Sequence, residues 1–139
     1  MRQIDRRQFL SAAAVFAGLS LVPARVARAM RAPGPHPTPR PGITGAKVPT
    51  REQLAGKQQD VIELFDGIRD IPDVVDGIRC QCGCAGSEGF YSLLSCYEGD
   101  KAMAKYCRTC QGEGKLALRL HKEGKSLDEI RAAIDAKFG

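Results

Sequence analysis

The sequence predicts an all-α fold, a small cysteine-rich helical domain of three to five helices around a Cys-x-Cys-Gly-Cys loop over residues 51–139. Three observations predict it. Apolar residues recur every three to four positions after Thr50 and again after Ser126, the period of a helix with one buried face. No stretch alternates apolar and polar residues for the length of a strand. All six cysteines lie between positions 80 and 110, three of them on alternate residues, a spacing that calls for sulfur chemistry rather than for packing.

The elements follow in order. Thr50 and Gln53 form a capping box, and Leu54, Val61, Leu64, Phe65 and Ile68 continue it at helical spacing, so a helix is expected from about Arg51 to Arg69. Pro72 ends it and opens a single helical turn closed by Gly77, with a short strand as the alternative. Arg79 to Gly89 reads as an irregular loop in which glycines let backbone amides approach sulfur. Phe90–Tyr97 reads as a short helix carrying Cys96, stopped by Gly99. Asp100 then caps a longer helix to His121 or Lys122, which Gly112 and Gly114 weaken enough to predict a kink or break. Gly124 stops that helix, and Ser126 with Glu129 caps a last one whose face is Ile130, Ala133, Ile134 and Phe138.

Ahead of this domain stand two segments of different character. Residues 1–29 have a charged start, an apolar stretch from Phe9 to Val22 too short for the ~20 residues of a membrane span, and the small-x-small ending Ala27-Arg28-Ala29. Within them Asp5-Arg6-Arg7-Gln8-Phe9-Leu10-Ser11 resembles the twin-arginine export signal. That resemblance implies cleavage near Ala29 and passage of an already folded chain, which meets metal ions in the reducing cytoplasm before it meets oxidant. Residues 30–50 hold six of the eight prolines and read as an extended, mostly disordered linker, with His36 a solvated residue within it.

Charge excludes one class of partner. The chain carries 21 basic and 16 acidic side chains, but residues 1–29 hold five arginines against one aspartate, so the remainder is nearly neutral and no nucleic-acid partner is expected. The domain is also too short to bury a large core, a domain of this size hiding roughly 60–65% of its unfolded surface, so cross-links or a metal would supplement it.

Cys80, Cys82, Cys84, Cys96, Cys107 and Cys110 are therefore the candidate site, and three uses for them stay open. The first is metal binding. Cys107 and Cys110, three apart on a predicted helix, can reach one ion, and two thiols of the Cys80, Cys82, Cys84 set would complete the four ligands zinc prefers. Soft thiolates equally select copper(I), of which six sulfurs near Met103 could hold more than one ion. The second is a disulfide framework. Cysteines two apart pair only with strain, so it would join each of Cys80, Cys82 and Cys84 to one of the other three. The third is thiol–disulfide exchange at Cys107-Arg108-Thr109-Cys110, where Arg108 would lower a thiol pKa, although no βαβ pattern surrounds it. His121 reads as a helix C-terminal cation, and no paired carboxylate site, phosphate loop or nucleophile–base pattern is present.

Taken together, Cys80-Gln81-Cys82-Gly83-Cys84, Ser92-Leu93-Leu94-Ser95-Cys96-Tyr97, Cys107-Arg108-Thr109-Cys110 and the tail Gly124-Lys125-Ser126 to Ile134-Asp135 resemble the PCYCGC-motif family of exported bacterial proteins over about residues 71–138. Members are small, secreted or lipid-anchored and of unassigned function, so the resemblance implies an architecture more than an activity. This chain departs from the pattern. Arg79 replaces the motif's Pro and Gln81 its Tyr, and Phe90 and Met103 stand where the resemblance implies histidines in many members. If those histidines are ligands, the site here is more purely sulfur, which favours copper(I). A lesser likeness, limited to the Cys-x-Cys-Gly-Cys loop and a Gly-x-Ser-x-x-Glu-Ile tail, is to cytochrome c maturation proteins that handle apocytochrome thiols.

The expectation is a non-enzymatic, exported metal-binding or metal-delivery protein, periplasmic or extracellular and soluble after cleavage. Its ion would be copper(I) or zinc, and its client an envelope metalloprotein or a cytochrome.

Overall fold

Buried apolar stripes decide which stretches become helices. In the computed structural model, which describes residues 34–139, they give five: α1 (Gln59–Asp70), α2 (Pro72–Asp76), α3 (Cys84–Ser87), α4 (Arg108–Lys122) and α5 (Leu127–Phe138). Three 3₁₀ turns, Gly45–Lys47, Leu94–Tyr97 and Met103–Lys105, join them, and no strand occurs among the described residues. The all-α expectation therefore holds. The expected twin-arginine signal at 1–29 and the start of the linker lie outside the described residues. Among those described, no helix is long and apolar enough to cross a membrane.

Helix α1 buries Val61, Leu64, Phe65 and Ile68, one stripe at three- and four-residue spacing. That stripe packs on α4, which also packs on α5 through Ile130 and Ile134. Phe65 meets Tyr97 edge-on with ring centroids 4.9 Å apart, tying α1 to the turn that carries Cys96. Both rings are fully buried. Helix α2 has Pro72 at its first position, as its sequence predicts. Helix α5 has both arms of its capping box, Ser126 to the Glu129 amide and Glu129 back to the Ser126 amide. At the end of α4, Lys125 N–H donates to Leu120 O at 3.0 Å and Gly124 N–H to His121 O at 2.9 Å, the paired closure of a Schellman motif. His121 lies in that last turn and is exposed.

Two helix starts and one expected kink differ from expectation. Helix α1 begins at Gln59, eight residues later than Arg51. The Thr50–Gln53 bond forms at 2.9 Å, but it closes a set of turns that Gly56, at φ +84°, then redirects. Helix α4 begins at Arg108 rather than after Asp100, because residues 103–105 tighten into a 3₁₀ turn and Cys107 becomes the cap. The glycines of α4 do not kink it. The helix is continuous, and Gly114 is the point where Tyr97 crosses it: a Cβ there would collide with the Tyr97 hydroxyl, which donates to Cys110 O at 2.6 Å.

The proline-rich segment is a correction of larger scale. Residues 34–50 lie along the helical domain and belong to the same unit, Pro33–Gly139, instead of forming a disordered tether. Polyproline backbone has no internal hydrogen bonds, so its carbonyls and amides are free for other elements, and proline lowers the entropy lost on ordering. Tyr91 Oη donates to Thr38 O at 2.6 Å and Arg131 donates to Pro37 O at 2.8 Å. The strongest tie is Arg40 to Asp76. The fully buried carboxylate accepts from the Arg40 amide at 2.8 Å, from its guanidinium at 2.7 Å and from Ser92 Oγ at 2.7 Å.

Burial raises the Asp76 pKa, but the Arg40 and Ser92 donors outweigh it, and the carboxyl sits below its usual range. A depressed folded-state pKa adds stability that is present above the unfolded value of about 4 and is lost as pH falls through the folded value. Asp76→Asn should therefore cost about 2–3 kcal/mol at pH 7, with the gap to wild type narrowing below about pH 4 in urea titrations at both pH values. A gap that widened in acid would contradict this. Gly114→Ala should destabilise by about 1–3 kcal/mol, although alanine is the better helix former by about 1 kcal/mol, because the Tyr97 hydroxyl has to move. Urea unfolding gives the sign directly.

Candidate metal centre

The site is built from Arg79 to Cys82, where the chain has left α2 and turns at Gln81 and Cys82. Cys80 and Cys82 carry the sulfurs, and Arg79 and Gln81 are held by the rest of the domain. Arg79 N–H donates to His36 Nδ1 at 3.0 Å, and Gln81 N–H donates to Glu113 Oε1 at 2.7 Å. Gln81 Nε2 reaches Asp135 Oδ1 at 2.9 Å, and the same carboxylate is 3.1 Å from His36 Nε2. The linker histidine is thus half-buried and paired on both nitrogens, not solvated as expected. Gln81, which stands in place of the motif's tyrosine, is a positioning residue for the loop.

Three further elements bring sulfur to the Cys80–Cys82 face. Gly83, at φ +89°, reverses the chain into α3 so that Cys84 Sγ lies 2.8 Å from Cys82 Sγ. The 3₁₀ turn Leu94–Tyr97 delivers Cys96, and the first turn of α4 delivers Cys110. The Sγ atoms of Cys80, Cys82, Cys96 and Cys110 all lie within 4.8 Å of one another. Cys110 Sγ is 3.6 Å from both Cys80 Sγ and Cys82 Sγ, and Cys80 and Cys82 are 3.1 Å apart. A sulfur tetrahedron with metal bonds of about 2.3 Å has edges of about 3.8 Å, so modest spreading would accommodate an ion. All six cysteines are free thiols.

The grouping differs from the one that spacing suggests. Cys110 joins the four-sulfur set without Cys107, and Cys96 takes the place foreseen for its neighbour. The reason is the cap: Cys107 lies outside the helix with its Sγ accepting from Cys110 N–H at 3.5 Å, so the two no longer share a helical face. Cys84 and Cys107 stand at the edge of the cluster. Phe90 and Met103, the positions of the implied histidines, are partly buried against the core.

Packed thiols in a dry site share charge unevenly. Hydrogen bonds from Cys110 and then Cys96 bring the Cys80 pKa down to about 2, making it the thiolate of the set. Cys110 is raised most directly by donating to Cys80, and Cys82 is raised chiefly by burial. For Cys96, the bond from Cys110 lowers the pKa, but its own donation to Cys80 and its burial prevail. Cys107 is shifted down, since the Cys110 N–H and neighbouring donors outweigh its burial. The N-terminus of α4 adds a favourable dipole on the same side.

Sequence reasoning missed Glu113. This carboxyl is fully buried, its Oε2 has no partner, and burial followed by the charge of Cys80 pushes its pKa up to about 9. The available signal was spacing. Position 113 is three past Cys110 and shares its helical face.

Accessibility and ionisation together order the thiols. Cys107 is partly open to solvent with a lowered pKa, whereas Cys96 and Cys110 are fully buried and raised. In the metal-free protein at neutral pH, iodoacetamide should label Cys107 first and Cys96 and Cys110 last, by at least about tenfold in rate. Time-resolved peptide mass spectrometry checks the order, and early labelling of Cys96 would contradict it.

No curated protein and no solved structure matches the chain. The model of a family described as proteins of unknown function with a PCYCGC motif matches residues 44–139, a span that contains all five helices and all six cysteines. The chain therefore belongs to the PCYCGC-motif family of proteins of unknown function.

Proposed function

We propose that this chain is an exported soft-metal-binding protein that carries or stores copper(I) or zinc in the cell envelope and performs no catalysis of its own. The observation that carries the reading is the convergence of four sulfurs, from a loop, a 3₁₀ turn and a helix, on one point. A disulfide framework would draw sulfurs into separate pairs, whereas a metal draws them to a common centre. The chemistry of the donors agrees, because an all-thiolate set suits zinc and copper(I) and suits hard cations poorly. Each thiol that binds loses its proton, and the raised pKa values of Cys82, Cys96 and Cys110 make that loss, and hence affinity, pH-dependent.

The export reading rests on Asp5-Arg6-Arg7-Gln8-Phe9-Leu10 and its implied transport of folded chains, which would let the site fill in the cytoplasm. A receiving metalloprotein or cytochrome in the envelope is the matching client. One observation favours a second reading, thiol–disulfide exchange in cytochrome c or copper-centre maturation: Cys107 is partly open to solvent and acidified, with Cys110 next to it to resolve a mixed disulfide. Cys110→Ser would then trap that mixed disulfide with a client.

Metal analysis of the protein purified from the periplasm, exported on its own signal, tests the main reading. About one or more soft metal ions per chain are expected, falling sharply in Cys96→Ser and Cys110→Ser. Less than about 0.2 ion per chain would overturn it. Removing the metal with a strong chelator should lower Tm by roughly 10 °C or more, since a ligand at 100 times its Kd contributes about 2.7 kcal/mol to a domain this small.

A further inference from the structure

The four-sulfur set leaves two thiols unused, and their placement is specific. Cys82 is the hub of the cluster. It lies 3.1 Å from Cys80, 3.6 Å from Cys110 and within 4.8 Å of Cys96, yet also 2.8 Å from Cys84, which the four-sulfur set excludes. Cys107 Sγ accepts from the Cys110 amide at 3.5 Å, which sets it beside the residue whose sulfur lies 3.6 Å from Cys82. The cluster is also asymmetric in depth. Cys80, Cys96 and Cys110 are at most 2% exposed and Cys84 is 8% exposed, whereas Cys82 and Cys107 are partly open to solvent.

This layout suits copper(I) in a way it does not suit zinc. Copper(I) accepts two to four sulfur ligands and its thiolates bridge ions readily, so three sulfurs at the edge of a filled site can hold a second ion. Zinc prefers four ligands, and the edge offers no fourth sulfur. Resting on the soft-metal reading above, we propose that the six thiols form a two-ion copper(I) centre. An inner ion sits on Cys80, Cys96 and Cys110, an outer ion sits on Cys84 and Cys107, and the Cys82 thiolate bridges the two. The outer ion is the exchangeable one, because its ligands include Cys107, and both Cys107 and the bridge are partly open to solvent. Transfer to a client is then ligand exchange: an acceptor thiol bonds the outer ion and gives its proton to solvent as Cys84 or Cys107 leaves. No electron changes hands.

The test is an anaerobic titration of the full chain with copper(I), with bicinchoninate as the competing chromophoric ligand and native mass spectrometry counting bound ions. Wild type should take about two copper(I) ions, in a tight step and a weaker step at least about tenfold apart, and about one zinc ion. Cys84→Ser and Cys107→Ser should each lose the weaker step and keep the tight one. Cys107→Ser keeps a good helix cap, since serine is among the preferred N-cap residues, so its loss of an ion does not report unfolding. Wild type saturating at one copper(I), or both variants still taking two, would overturn the two-ion centre while leaving the soft-metal reading intact. Wild type taking neither copper(I) nor zinc would overturn both.

Discussion

A single hydrogen bond, from the Gln81 amide to the buried carboxyl of Glu113, fastens the cysteine loop to the helix that carries Cys110. The loop has no regular structure between α2 and α3, so its backbone donors must find partners on other elements. Glu113 supplies one from inside the core, three residues past Cys110 on the same helix. Arg79 N–H finds another on His36. With both amides held, the turn at Gln81 and Cys82 keeps the Cys80 and Cys82 sulfurs 3.1 Å apart and beside those of Cys96 and Cys110. The sulfur cluster is thus a consequence of how the loop's backbone is tied down.

The arrangement carries a cost that indicates its use. Four thiols are brought together beside a carboxyl with an unpartnered oxygen. Buried polar atoms without partners oppose folding, and crowded sulfurs resist further ionisation. A soft cation would relieve the sulfur part of that cost at once. The segment 34–50 contributes from outside. Arg40 neutralises Asp76 near the end of α2, and His36 with Asp135 brackets the loop, so residues well before the motif decide how it is presented.

Much of the fold was legible in local patterns. The period of Val61, Leu64, Phe65 and Ile68 specified α1, Pro72 and Gly77 framed α2, and the Ser126–Glu129 box opened α5, because each signal acts over a few residues. The same locality misled at Thr50, where a capping-box bond serves a turn as well as a helix once Gly56 redirects the chain. It misled again at Cys107, whose sulfur takes the capping role given to Asp100. The proline run reads as disorder in isolation, since its order comes from partners such as Asp76 and Asp135, up to 99 positions away. That the thiols would gather was legible from their spacing, and four of the six do converge. Which four converge was not, because that depends on a turn delivering Cys96 and a cap removing Cys107 from the helix face.

The central claim is that sulfurs from three separate elements surround one soft ion. X-ray absorption at the metal edge of the loaded full chain tests it most directly. The account predicts a coordination sphere of three to four sulfurs at about 2.3 Å, with sulfur lost in Cys96→Ser. A sphere dominated by nitrogen or oxygen, or one unchanged by removal of Cys96, would contradict it.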